Sequence, residues 1–166
     1  MIVSYLKYIA ILIILVFIQK TFIWLLSVSE YNISPDIVII FIIYVGLKNG
    51  QIEGALYGFF GGLLIDILSG SFLGLSTLCY TIAGFTAGYF FRPDDEKFLY
   101  KFNFLYVVFP CTLLSNFIYY LIYLQGLQLG FFDMMFKFIL TSTVYTTIIS
   151  LIFIIIPKRT GKEKLA

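Results

Sequence analysis

Long apolar runs set the rhythm of this chain, and short polar breaks separate them. The first runs about Tyr5 to Leu26, with the core IAILIILVFI and an interruption at Gln19, Lys20 and Thr21. The second runs about Ile37 to Leu47, the third about Ile52 to Leu68 and the fourth about Phe72 to Phe91. The fifth runs about Phe102 to Leu124 and the sixth about Met134 to Ile156. A hydrocarbon layer about 30 Å thick takes about 20 apolar residues per helical crossing. The pattern therefore predicts an all-α polytopic membrane protein. Residues 1–156 form a bundle of six transmembrane helices, and 157–166 form a basic tail. The second run is short. Pro35 is tolerated in a first helical turn, so that helix is expected to start near Ser34 as cap, with Asp36 complementing its dipole.

One periodicity stands out within the third run. Glycines occupy 50, 54, 58 and 62, each four residues after the last, and Asp66 takes the next place in the series. Four-residue spacing keeps positions on one helical face. The run thus predicts a helix with a stripe bare of side chains and one carboxylate near its end. Interior glycine costs about 1 kcal/mol against alanine, but in lipid a bare stripe lets another helix backbone approach closely. Thr77, Thr81, Gly84 and Gly88 repeat small residues along the fourth run. The turn between the two runs is short, so they are expected to be antiparallel neighbours. Gly54, Gly58 and Gly62 are then candidates for contact with that helix or with a partner's.

Charge adds direction. Only 12% of residues are charged, against about 25% in soluble domains. With the N-terminus in the cytoplasm, Lys7, Lys48, Arg92, Lys97, Lys101, Lys158, Arg159, Lys162 and Lys164 fall on that side, leaving Lys20 and Lys137 near the other. Basic residues concentrate in short cytoplasmic loops, so both termini are expected on the cytoplasmic side. The first run is too long for a signal peptide and is expected to be kept as a span. Trp24 suits the interfacial aromatic belt.

Candidate chemistry is sparse. There is no His, and Cys79 and Cys111 sit singly in apolar runs, where Cys behaves as a small hydrophobe. No nucleophile–base pair, metal cluster, phosphate loop or nucleic-acid-binding patch is visible, so no cofactor and no enzymatic activity are expected. The basic tail suits the lipid bilayer surface or topology alone. An intramembrane carboxylate needs a partner, which singles out Asp66. Lys20 and Lys137 lie at similar depth, so Asp66 is expected either to pair with one of them as an outer-end tether or to reach interfacial water. In the second case Lys137 pairs with Asp133, four residues before it. Glu53 opens the third run, where the dipole favours an acid. Asn116 and the Ser/Thr series of the sixth run are expected to bond between helices or back to their own backbone rather than to line a conduit.

The stretch from Pro35 to Phe91 resembles the central signature of the MreD family of bacterial rod shape-determining proteins. The matching elements are Pro35-Asp36, the short turn to Glu53-Gly54, the glycine helix ending in Asp66, and Gly70 followed by Gly74, with Gln19 late in the first run. The resemblance implies a non-catalytic component of the cell-elongation machinery that works with an MreC-like bitopic partner. The wider assembly includes MreB, RodA and a penicillin-binding transpeptidase. It also implies a fold similar to the substrate-binding components of energy-coupling-factor transporters. A vitamin-like binding component of a transporter is therefore the alternative function. The short outer loops speak against an outward ligand pocket, and the bulky face of the first run speaks against transporter docking.

Overall fold

The computed structural model describes residues 2–21, 34–70, 72–92, 103–125 and 130–155. Trp24, Ser71, Lys97, Lys101 and the tail at 157–166 lie outside the described residues. All described regular structure is helical. The elements are α1 (Ile2–Thr21), α2 (Ile37–Asn49), α3 (Gln51–Ser69), α4 (Leu75–Gly88) and α5 (Asn103–Tyr123). A sixth rod, α6, has three successive pieces: an α-turn at Phe131–Met134, a π-helical stretch at Met135–Leu140 and an α-helix at Thr141–Ile155. Gln51–Ser69, Asn103–Tyr123 and Phe131–Ile152 are long and apolar enough to cross a membrane.

α2 is the centre of the bundle and packs against α1, α3, α4, α5 and α6. From Val38 to Ile43 every side chain is buried, which is why this run is apolar on all sides rather than on one stripe. The outer helices instead turn Ile, Leu and Phe outward, as with Leu6, Ile14, Phe60 and Phe85. Lipid explains that pattern, since apolar side chains facing hydrocarbon lose nothing.

Two helices are shorter than a crossing. α2 has 13 residues and α4 has 14, which is about 20 Å each at 1.5 Å per residue. The apolar run over 72–91 predicts a longer fourth helix. Gly74, at φ +98°, starts it later, because that left-handed backbone cannot continue a helix. Similarly, α2 begins at Ile37 with Asp36 as its cap, not at Ser34. Non-helical backbone at membrane depth is tolerated only where protein or a wet cavity covers it. Both short helices therefore begin where their free N–H groups need partners, and the two acids stand there.

α2 and α3 are joined through a single residue. Gly50, at φ +101°, donates its N–H to Gly46 O at 2.9 Å and reverses the chain. A side chain at that φ would be strained.

Candidate functional site

Asp66 is fully buried and lies against the start of α4. Its Oδ1 accepts from Ser76 N at 3.0 Å. Its Oδ2 accepts from Gly74 N at 2.9 Å, Thr77 N at 3.1 Å and Thr77 Oγ1 at 2.9 Å. Gly74 has no side chain to cap α4, so a carboxylate from α3 caps it instead. The helix N-terminus supplies both the donors and the favourable dipole end. This corrects the tether to a lysine. Lys137 pairs with Asp133 Oδ1 at 3.1 Å, on its own rod. Lys20 donates to Ser69 Oγ, one turn past Asp66 on α3. Lys20 thus still ties α1 to the end of α3, but through a hydroxyl. Four backbone and hydroxyl donors satisfy Asp66 more fully than one flexible ammonium would, without ordering a long side chain.

Asp36 does the same for α2 and gathers three other helices as it does so. Its Oδ1 accepts from Ile39 N and from Gln19 Nε2, each at 3.0 Å, and its Oδ2 accepts from Tyr80 OH. Gln19 Oε1 accepts from Val38 N at 2.9 Å, completing the cap with an amide from α1. Asp36 N donates to Thr146 Oγ1 on α6 at 3.2 Å. α1, α2 and α4 therefore meet at one carboxylate, and α6 joins the same residue through its backbone N–H. Sequence reasoning marked Pro35-Asp36 and Gln19 as matching positions but did not connect them. Tyr80 was missed altogether, because a tyrosine in an apolar run gives no sign that its hydroxyl has an assigned acceptor.

The glycine stripe lies inside the bundle. A Cβ added at Gly54, Gly58 or Gly62 would come within 3.0 Å of the backbone of Gly84, of Tyr80 and Thr81, or of Ser76 and Thr77 respectively. A Cβ at Gly84 or Gly88 would meet the backbone of Gly54 or of Gln51 equally closely. α2 joins the same crossing, since a Cβ on Gly46 would sit 2.7 Å from Gly84 O. The stripe is thus occupied by α4 and closed to a partner helix. Gly70, at φ +61°, ends α3 as its left-handed C-cap.

The opposite end of α3 carries a smaller network. Glu53 accepts from Tyr5 OH at 2.8 Å and from Asn49 Nδ2 at 2.6 Å, so it bridges α1, α2 and α3 as well as meeting its own helix dipole. Asn116 donates to Thr143 Oγ1 at 3.0 Å, linking α5 to α6. Most other span hydroxyls bond back to their own helix, as Thr112 does to Val108 O at 2.8 Å.

Among the described residues two concavities bear on function. An apolar groove of about 410 Å³ runs between α1 and α3 from Tyr5 and Glu53 to Ile13 and Leu64. A polar cavity of about 380 Å³ opens at the Asp36 end, between the ends of the helices. The short outer loops argue against an outward pocket, yet the described walls of this one come largely from helices, through Gln19, Ile65, Ser76 and Tyr119, with Ser34 from the segment before α2. Cys79 and Cys111 are buried and unbridged. Among the described residues no three His, Cys, Asp or Glu side chains are grouped as a metal site.

No curated protein and no solved structure matches this chain. The family model for the rod shape-determining protein MreD matches residues 2–158 of the 166, and with its acids capping two short helices around a glycine crossing, the chain belongs to that family.

Proposed function

We propose that this chain is a non-enzymatic, six-span scaffold of the cell-elongation machinery in the bacterial inner membrane, with both termini cytoplasmic. In this reading it holds the single span of an MreC-like partner and so takes part in lateral peptidoglycan synthesis with MreB, RodA and a penicillin-binding transpeptidase. Membership of a shape-determining family supports the setting. The distribution of Lys and Arg supports the orientation.

The observation that carries the docking step is the groove between α1 and α3. Its wall is formed by Ile9, Leu12, Ile13, Leu56, Phe60 and Leu64, with Glu53 and Tyr5 at the cytoplasmic end. Association in lipid comes from close packing and hydrogen bonding, since the tails are as apolar as leucine. A preformed groove offers packing area without reorganisation, and Glu53 offers a fixed acceptor at its mouth. The partner's seat is thus the lipid-facing side of α3, opposite the glycine stripe.

A photo-crosslinking residue placed at Phe60 in cells tests this. Recovery of a bitopic protein with a large external domain is the expected product. Recovery of lipid alone, or of the same partner from Phe85 on α4 and not from Phe60, overturns the groove. A second reading, a small-molecule subunit of a transporter, is favoured by the polar cavity, and capture of an ATPase module would decide for it.

A further inference from the structure

The cavity at the Asp36 end is lined mainly by polar side chains. Its volume of about 380 Å³ lies in the range of ligand sites, about 300–1,000 Å³. Ligand sites in general are mostly apolar with a few polar anchors. Here the walls are hydroxyls and amides, among them Ser76, Ser115, Asn116, Tyr119, Tyr123 and Ser142. Packing does not use them all. Asp36 and Tyr80 are committed to the start of α2, and Asn116 to Thr143. The hydroxyls of Tyr119 and Tyr123 make no hydrogen bond to another described residue. Their rings stack at 5.5 Å with an interplanar angle of 17°, a paired aromatic surface at the cavity wall.

Among the described residues, one basic and one acidic side chain line the cavity. Lys20 and Asp36 both border it, and the Asp66 carboxylate is turned into the start of α4. A strongly ionic ligand would meet no excess of opposite charge there. A flat apolar ligand would leave the hydroxyls and amides dry, and unpaired polar groups are expensive. A neutral molecule with hydroxyls around its rim and C–H on its faces suits both surfaces, since tyrosine and serine hydroxyls each donate and accept and an aromatic face attracts polarised C–H. We propose that this cavity binds a small neutral saccharide, one or two sugar rings in size, entering from the outer face in the orientation proposed above. The inference is independent of partner docking, which concerns the apolar groove between α1 and α3.

The test is thermal unfolding of the full chain in an amine-oxide detergent, because glucoside and maltoside detergents carry the probe chemistry themselves. The probes are maltose, N-acetylglucosamine and its β-1,4-linked dimer, with sorbitol at equal concentration to remove the general stabilisation by polyols. Binding to the folded state raises Tm by mass action, and a rise of about 2–4 °C over sorbitol is expected for at least one sugar. Tyr119→Phe with Tyr123→Phe keeps the ring stack and removes both hydroxyls, and is expected to abolish that rise. Should the double variant fail to fold, Ser115→Ala takes its place, with the rise reduced at least twofold. No rise above sorbitol for any of the three sugars, or a rise unchanged in the variant, overturns the proposal.

Discussion

Asp66 on α3 holds the first turn of α4 through Thr77, whose backbone N–H and Oγ1 both donate to Asp66 Oδ2. With Ser76 N and Gly74 N added, the carboxylate accepts four hydrogen bonds and stays fully buried. A charged acceptor is worth more than a neutral one, and a buried donor left unpaired is costly. Asp66→Asn keeps the shape but turns an NH₂ toward backbone N–H groups. Its stability is expected to fall by about 2–4 kcal/mol, read as a lower Tm of the purified protein. Exchanging charges between Asp66 and Lys20 or Lys137 is expected to give no rescue. Rescue by either exchange would restore the tether in place of the cap.

The glycine crossing makes a graded prediction. At Gly58 an added Cβ meets the backbone of Tyr80 and Thr81, which cannot move without parting α3 from α4. Gly58→Ala is expected to cost about 1–3 kcal/mol as overpacking, and Gly58→Leu to abolish the folded monomer on size-exclusion chromatography. Gly61 is the control. Its Cβ would meet only side-chain ends, Leu12 Cδ1 at 3.1 Å and Ile42 Cδ1 at 3.4 Å. Those can yield, and alanine gains about 1 kcal/mol in helix propensity, so Gly61→Ala should stay within about 1 kcal/mol of the parent.

The glycines were legible because spacing by four is a one-dimensional signal of a one-dimensional object, a helix face. Their neighbour α4 was legible because its own small residues repeat and the turn is short. The caps were not. Asp66 and Gly74 lie eight residues apart across a turn, and nothing in the spacing shows that α4 begins after Gly74 rather than at Phe72. The apolar run continues through both, since hydrophobicity reports burial or lipid contact and not helix ends. The Asp36 node was still less visible, because it joins four segments and its donors, a Gln and a Tyr, have many ordinary uses. The cavity has no linear signature, as its walls come from every helix end on one side. Asn116 and the Ser/Thr series of the sixth run were its trace, since Asn116 and Ser142 line it.

The pair between Lys137 and Asp133 sets a contrast. Both side chains are about half exposed, at 51% and 55%, and stand four apart on one rod. Exposed pairs of this kind contribute about 0.3–0.5 kcal/mol. Asp133→Asn should therefore cost about 0.5 kcal/mol at most, a Tm shift of no more than about 2 °C. A loss comparable with that of Asp66→Asn would mean that the two acids share a role, contrary to the separate partners each one has.

The last prediction concerns how firmly the Asp36 node is coupled. Gln19 from α1 and Tyr80 from α4 bond to different oxygens of the same carboxylate, and Gln19 also accepts from Val38 N. Removing either donor leaves Asp36 with fewer partners in a buried place, so removing the second then costs a different amount from removing it first. Residues sharing one hydrogen-bond network show interaction energies of about 0.5–3 kcal/mol in double-mutant cycles. Gln19→Leu, Tyr80→Phe and the double variant should show a coupling of that size in thermal unfolding. The cycle of Gln19→Leu with Asn116→Leu is the comparison, since Asn116 bonds to Thr143 and not to Asp36, and its coupling should be below about 0.5 kcal/mol. Additive effects of Gln19 and Tyr80 would mean that α1 and α4 meet the carboxylate independently. Asp36 would then cap α2 but not bind the four helices into one unit.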